Sequence, residues 1–154
     1  MTDTSPIAAP DFSLPATGGH TVTLSELKGS KVVLYFYPKD NTPGCTNESA
    51  DFRDLHADFV KAGCTVFGIS RDGMKSHERF KEKLGLPFEL ISDADEIACG
   101  AFDVIRLKNM YGKQVRGIER STFLIDAEGN IAQAWRGVKV PGHAQAVLAL
   151  AQTL

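Results

Sequence analysis

Cys45 is the residue of this chain best placed to do chemistry, because of the segment in which it lies. In Tyr35-Phe36-Tyr37-Pro38-Lys39-Asp40-Asn41-Thr42-Pro43-Gly44-Cys45-Thr46 an apolar run of strand length ends, the chain turns, and a helical pattern begins. The first N–H groups of a helix have no partner within the helix and carry a partial positive charge, and both features favour a thiolate over a thiol. The segment therefore predicts a nucleophilic cysteine.

A buried strand and a helix position this turn. Lys31–Tyr37 is a nearly continuous apolar run, which predicts a central strand buried on both faces and stopped by Pro38. A helix is predicted from about Pro43 to Ala62, with Gly63 as its stop, because apolar residues recur there at helical spacing: Phe52, Leu55, Phe59 and Val60.

The rest of the chain alternates predicted strands and helices. A hairpin through Gly18-Gly19 joins Ala9–Leu14 to Thr21–Leu24, and residues 103–120 show no firm period, which predicts a loop. The other predicted elements are a strand Cys64–Ser70; a helix with Met74, His77, Phe80 and Leu84 inward and Gly85 at its end; a strand Phe88–Ser92; a short helix Glu96–Phe102 capped by Asp93 or Asp95; a hairpin of Ser121–Asp126 and Ile131–Trp135; and a final helix His143–Leu154. This order predicts an α/β fold in which helices flank a mixed central sheet, with residues 1–154 forming a single domain.

Composition excludes several classes of function. The chain has 154 residues, 43% of them apolar, and a net charge of −2, so it lacks the basic excess that nucleic acid or an anionic membrane would require. No apolar run approaches transmembrane length, and the N-terminal residues Met1–Pro6 have no signal-peptide features, so we expect a cytoplasmic protein.

The cysteines and histidines show no metal-binding pattern. Three cysteines (Cys45, Cys64 and Cys99) form no CxxC pair, and the four histidines (His20, His56, His77 and His143) do not cluster at ligand spacing. We therefore expect reduced thiols, no metal and no cofactor, with His77 at the boundary of the core.

Two motifs together resemble a known family. The spacing Pro38-x-x-x-Thr42-x-x-Cys45, with Arg120-Ser121-Thr122-Phe123-Leu124-Ile125-Asp126 further along, is similar to the peroxiredoxins, in particular to the bacterioferritin comigratory protein or peroxiredoxin Q type. The resemblance extends from Pro10-Asp11-Phe12 to the C-terminus. It implies a thioredoxin-like fold and reduction of hydrogen peroxide and organic hydroperoxides by a cysteine thiolate.

The resemblance also implies roles for individual residues. Thr42, Gly44 and the Cys45 N–H would hold the peroxide, Arg120 would polarise it, Pro38 would exclude water, and Glu48 could support the hydrogen-bond network. Each has a plainer interpretation: Arg120 as a surface charge, Thr42 as a helix cap before Pro43, and Glu48 as an acidic residue in a first helical turn.

The resemblance fails at the second cysteine. Family members carry a resolving cysteine five residues after the nucleophile or in the following helix, and this chain has Ala50 and Lys81 there. Cys64 and Cys99 are expected to be buried, so we favour a one-cysteine cycle resolved by glutathione, glutaredoxin or thioredoxin. A two-cysteine cycle through Cys99 or Cys64 is the alternative.

Other functions fit the sequence less well. A disulfide oxidoreductase would need a CxxC pair, and a cysteine hydrolase would need a histidine beside Cys45. A non-enzymatic redox sensor or holdase remains a hypothesis, and a monomer or weak dimer is expected. The basic stretch between Arg106 and Arg120 predicts a solvated loop or a surface that attracts an anionic reductant.

Overall fold

A seven-stranded mixed sheet organises the chain in the computed structural model, which describes residues 6–154. The first five residues, part of the N-terminal segment without signal-peptide features, lie outside this range. The strands are β1 Ser13–Ala16, β2 His20–Thr23, β3 Lys31–Phe36, β4 Cys64–Ser70, β5 Glu89–Ser92, β6 Ile105–Met110, β7 Lys113–Ile118, β8 Ser121–Ile125 and β9 Ile131–Arg136. The sheet order is β2-β1-β5-β4-β3-β8-β9, while β6 and β7 form a separate antiparallel pair.

Five α-helices flank the sheet: α1 Pro43–Asp54, α2 His56–Lys61, α3 Met74–Leu84, α4 Ile97–Ala101 and α5 His143–Ala151. Strands β3, β4 and β5 run parallel, β8 pairs antiparallel with β3, and β9 pairs antiparallel with β8. The predicted mixed sheet with flanking helices is therefore confirmed. Among the helices within residues 6–154, none has the length and apolar character needed to cross a bilayer.

The core lies on both faces of β3, as the continuous apolar run predicts. Val32, Leu34 and Phe36 pack on one face with Cys99 of α4, whereas Val33, Tyr35 and Tyr37 pack on the other with Cys45 of α1. Because successive strand residues point to opposite faces, Cys45 and Cys99 belong to cores on opposite sides of the sheet.

The predicted single helix from Pro43 to Ala62 is wrong, because the chain bends at Leu55. Its backbone lies at φ −98° and ψ 1°, outside the helical region, and separates α1 from α2. Phe59 of α2 packs on Phe52 of α1, with ring centroids 5.7 Å apart, and Val60, one of the apolar residues at the predicted helical spacing, is 56% exposed.

The predicted loop at 103–120 is also wrong, because this stretch contains the β6–β7 hairpin. Tyr111 and Gly112 form its turn with φ 54° and 78°. The hairpin forms a two-stranded sheet of its own, and Leu107 and Val115 stay exposed, so the stretch shows no pattern of buried alternation. Several of its cations are engaged within the chain: Arg116 with Glu96, Arg106 with Asp103, and Lys108 with the Ile118 carbonyl.

The position predicted for His77 at the core boundary is wrong as well. Its side chain is fully buried on α3, where both ring nitrogens have partners. The short helix α4 is capped by Asp93, one of the two predicted candidates, whose carboxylate accepts hydrogen bonds from the N–H groups of Ile97 and Cys99.

Candidate active site

The strand register brings Arg120 to the start of α1. In the antiparallel pair of β3 and β8, Phe36 lies opposite Ser121, so Arg120 lies beside the carboxyl end of β3. The backbone of Arg120 is fixed there, because its carbonyl accepts a hydrogen bond from Val138 N–H at 3.0 Å. The chain leaves β3 at the same edge, passes through Pro38 and enters α1 at Pro43.

Arg120 contacts both Cys45 and Glu48. Its Nη2 lies 3.4 Å from Cys45 Sγ, and its Nη1 donates to Glu48 Oε1 at 2.8 Å. Cys45 and Glu48 are three residues apart on α1 and therefore share one face of the helix. The guanidinium is the one charged group that joins these two side chains in the described part of the chain.

Burial dominates the electrostatics of Glu48. Its side chain is 1% exposed, and its Oε2 has no hydrogen-bond partner among the described residues. This burial raises the pKa of Glu48 to about 7, although the Arg120 charge and hydrogen bond act in the opposite direction. The carboxyl group is therefore poised to exchange a proton near neutral pH.

The start of α1 supplies further hydrogen-bonding groups. Thr42 occupies the N-cap position with Pro43 at the first helical position, but the Thr42 hydroxyl does not cap the helix and donates instead to the Lys39 carbonyl at 2.8 Å. The oxygen of this hydroxyl can still accept a hydrogen bond. Thr46 N–H makes the first helical bond, to Thr42 O, so the N–H groups of Gly44 and Cys45 have no carbonyl partner within the helix.

Gly44 lies against the guanidinium of Arg120. A Cβ atom at this position would be 3.0 Å from Arg120 Nη2. The absence of a side chain at Gly44 therefore allows the guanidinium to approach the sulfur.

Comparisons with known proteins decide the family. The AhpC/TSA family model matches residues 7–134. Peroxiredoxin Bcp of Xanthomonas campestris is 58% identical over 94% of this chain and 90% of its own length, and Peroxiredoxin Bcp of Bacillus subtilis is 52% identical over 88% and 86%. This chain belongs to the peroxiredoxin family. The structure of Xanthomonas campestris Peroxiredoxin Q superposes with a TM-score of 0.88 at 56% identity, covering 92% of this chain and 90% of that one.

These relatives confirm the resemblance that the motifs predicted. The fold is thioredoxin-like, and this peroxiredoxin is a thiol-dependent peroxidase of the Bcp and peroxiredoxin Q branch. It reduces hydroperoxides at the expense of a thiol reductant.

A buried polar network supports the loop that precedes α1 in this peroxiredoxin. Asp40 accepts hydrogen bonds from the Tyr37 hydroxyl at 2.6 Å and the Ser76 hydroxyl at 2.8 Å, and its Oδ2 lies 2.7 Å from His77 Nδ1. His77 Nε2 faces the Ile91 carbonyl at 2.9 Å, which can only accept, so this nitrogen carries a hydrogen. The network ties the loop to α3 and β5.

The same network contains a set of potential metal ligands. One carboxylate oxygen of Asp40, one of Asp72 and one ring nitrogen of His77 lie within 4.8 Å of one another. However, Asp72 Oδ2 already accepts hydrogen bonds from Asp40 N–H and from the Ser70 hydroxyl. Asp40 Oδ2 and His77 Nδ1 are hydrogen-bonded to each other. These contacts give the cluster a structural role within the loop.

Two residues near Arg120 were not predicted from the sequence. His143 of α5 is buried against Phe52 and Trp135, with Nε2 2.8 Å from Thr122 Oγ1. Burial, and to a lesser extent the Arg120 charge, lowers the pKa of His143 to about 4, so the ring is neutral. The charge of Arg120 also acts on Lys108 of β6. Burial, and then that charge, lower the pKa of Lys108. Spacing along the chain gave no signal for either residue, since both reach the site through tertiary packing.

Proposed function

We propose that this peroxiredoxin reduces hydrogen peroxide and organic hydroperoxides through a sulfenic acid on Cys45, and that an external thiol completes the cycle. The contact between Arg120 Nη2 and Cys45 Sγ at the first turn of α1 carries the proposal. A cation and unpaired helix N–H groups are the surroundings that stabilise a thiolate and the charge that develops on a peroxide.

The groups around Cys45 would each bind a different part of the peroxide. The Thr42 hydroxyl, which already donates to Lys39 O, would accept the hydrogen bond of the peroxide O–H. The N–H groups of Gly44 and Cys45 and the Arg120 guanidinium would stabilise the oxygen that leaves. Pro38, half-buried after the end of β3, would limit access of water.

The chemistry begins with attack of the Cys45 thiolate on the distal peroxide oxygen. An S–O bond forms and the O–O bond breaks, which yields a sulfenic acid and an alkoxide or hydroxide. A reductant thiol then displaces water to form a mixed disulfide, and a second thiol releases reduced Cys45. The Xanthomonas campestris bacterioferritin comigratory protein is described as having alkyl peroxide reduction activity, which supports organic hydroperoxides as substrates here.

The surroundings of the other two cysteines support an external resolving thiol. Cys64 lies opposite Lys31 at the amino end of β3. Lys31 is five residues before Phe36, so Cys64 lies roughly 16 Å along the strand from the edge where α1 begins. Cys99 belongs to the core on the opposite face of the sheet. Burial raises the pKa of both thiols, and for Cys99 the Asp93 carboxylate adds to the effect. Disulfide formation requires Cα atoms within about 7 Å and a thiolate, so the placement and the raised pKa values of Cys64 and Cys99 both disfavour a disulfide with Cys45 in the folded protein.

The test is intact mass with thiol labelling after one equivalent of hydrogen peroxide. It compares the wild type with Cys45→Ser, Cys64→Ser and Cys99→Ser, each with and without glutathione. We expect one added oxygen on Cys45, or a glutathione adduct when glutathione is present, in every protein that retains Cys45.

The other outcomes separate the alternatives. Loss of two hydrogens that depends on Cys64 or Cys99 would establish an internal two-cysteine cycle. Stoichiometric oxidation of Cys45 without turnover by any added thiol would instead favour the redox sensor.

A further inference from the structure

Two buried acidic groups share one cation at the start of α1. The guanidinium of Arg120 contacts Cys45 through Nη2 and Glu48 through Nη1. Cys45 and the Glu48 side chain are each 1% exposed, and the Arg120 side chain is 16% exposed. If both acids were ionised, one negative charge would have no full partner in a site that excludes solvent, which is unfavourable.

The other charged groups around this site act against ionisation of Glu48. Asp51, one turn after Glu48, raises the pKa of Glu48 further. Tyr35, packed under α1, is neutral because burial raises its pKa well above the ordinary value. Lys108 is a second cation near the site and interacts with Cys45, while His143 is neutral. Cys45 therefore contacts the Arg120 cation and feels the charge of Lys108 at longer range, whereas Glu48 pairs with Arg120 and is opposed by the charge of Asp51.

The hydrogen bonding of Glu48 agrees with a protonated carboxyl group. Its Oε1 accepts from Arg120, while Oε2 lies buried with no donor within the described residues. An anionic oxygen without a donor is more costly to bury than the neutral hydroxyl of a carboxylic acid. Burial raises the pKa of Glu48 to about 7, in the same direction.

We propose that Glu48 holds a proton while Cys45 is a thiolate, and that it releases this proton to the leaving oxygen when Cys45 is oxidised. The proposal rests on the function proposed above. In the step, the sulfur takes the distal OH of the hydroperoxide and the O–O bonding electrons go to the other oxygen, which becomes RO⁻. The Glu48 proton converts RO⁻ to ROH, and the Glu48 carboxylate replaces the thiolate as the anion beside Arg120.

The step balances in atoms, electrons and charge. Cys45-S⁻, Glu48-COOH and ROOH become Cys45-SOH, Glu48-COO⁻ and ROH, with one negative charge on each side. The sulfur is oxidised by two electrons and the peroxide is reduced by two. No proton is taken from bulk solvent, which distinguishes this route from one in which the solvent neutralises RO⁻.

The test is proton uptake during a single turnover. Reduced protein in weakly buffered solution near pH 8 is mixed with one equivalent of hydrogen peroxide and a pH indicator. This pH lies above the pKa of about 7 to which burial raises Glu48, so the carboxylate formed in the step is not protonated again by solvent once the thiolate is gone. Ultraviolet absorbance reports the thiolate consumed. We expect close to zero protons taken up per thiolate in the wild type and close to one in Glu48→Gln, while Asp54→Asn, the loss of an exposed carboxylate at the end of the same helix, behaves as the wild type.

An infrared difference spectrum of the oxidised against the reduced protein at the same pH gives a second measurement. We expect the C=O band of a protonated carboxylic acid to disappear on oxidation, and Glu48→Gln to lack this change. Equal proton uptake in wild type and Glu48→Gln, or an unchanged carboxylic acid band, would overturn the proposal while leaving oxidation of Cys45 intact. Absence of any sulfenic acid on Cys45 would instead overturn the proposed function.

Discussion

Glu48 and His143 should make the stability of this protein depend on pH in opposite directions. The folded-state pKa of Glu48 is about 7, raised by burial from an ordinary value of 4.5, so its contribution to stability is full below pH 4.5 and is lost as the pH rises through 7. The folded-state pKa of His143 is about 4, lowered by burial from 6.5, so its contribution is full above pH 6.5 and is lost as the pH falls through 4.

The two effects should nearly cancel between pH 7 and pH 5. Each unit of pKa difference corresponds to about 1.4 kcal/mol, and integration over this interval gives a gain of about 2 kcal/mol from Glu48 on acidification. The same calculation gives a loss of about 2 kcal/mol from His143. A change at either residue alone should therefore reveal the contribution of the other.

The assay is urea unfolding at pH 7 and pH 5, with a reductant present to keep the thiols free. Glu48→Gln should lose about 2 kcal/mol more than the wild type on acidification, whereas His143→Gln should gain about 2 kcal/mol relative to it. All other carboxylates are common to the three proteins, so their contributions cancel when the pH differences are compared. If either variant shows the same pH dependence as the wild type, the argument from burial is wrong for that residue.

Four further substitutions test the site and the loop that precedes α1. Thr42→Val and Arg120→Ala should each slow oxidation of Cys45 by about a hundredfold or more, beyond any change in the thiolate fraction measured in the same sample; stopped-flow rates that follow only that fraction would contradict this. Gly44→Ala should slow the reaction by about ten- to a hundredfold, because the added Cβ meets Arg120 Nη2 at 3.0 Å, whereas Gly100→Ala, with nothing within 4 Å of its Cβ, should be as fast as the wild type. His77→Ala should lower the unfolding free energy by about 3–5 kcal/mol, because it removes a buried ring that hydrogen-bonds Asp40 and the Ile91 carbonyl and leaves a cavity; a loss below about 1 kcal/mol in urea unfolding would contradict this.

Local patterns predicted the parts of the fold that depend on local causes. The apolar run of β3 is buried on both faces because helices cover each side, and Pro43 starts α1 because proline suits a first helical position. The position of Cys45 at the first turn of α1 followed from the same signals. These features need only a few neighbouring residues to be specified.

Contacts between distant segments were harder to predict. Glu48 and Arg120 are 72 residues apart, and nothing in the spacing of either residue shows that they meet. His77 has helical spacing that places it inward, but its complete burial depends on Asp40 and on the Ile91 carbonyl. The β6–β7 hairpin offered one signal that could have revealed it, the Tyr111-Gly112 turn after the short alternating stretch Ile105-Arg106-Leu107-Lys108.

The choice of arginine at position 120 follows from this geometry. Residues three apart on α1 present Cys45 and Glu48 to the same side, and the register of β8 against β3 brings one residue into reach of both. A planar guanidinium can donate through two nitrogens in fixed directions, whereas the ammonium of a lysine is a single point of charge on a flexible stem. Register matters as much as residue type, because a slip of one residue in β8 would turn the Arg120 side chain to the other face of the sheet. The pairing of Phe36 with Ser121 is therefore what couples the carboxyl group of Glu48 to the thiol of Cys45.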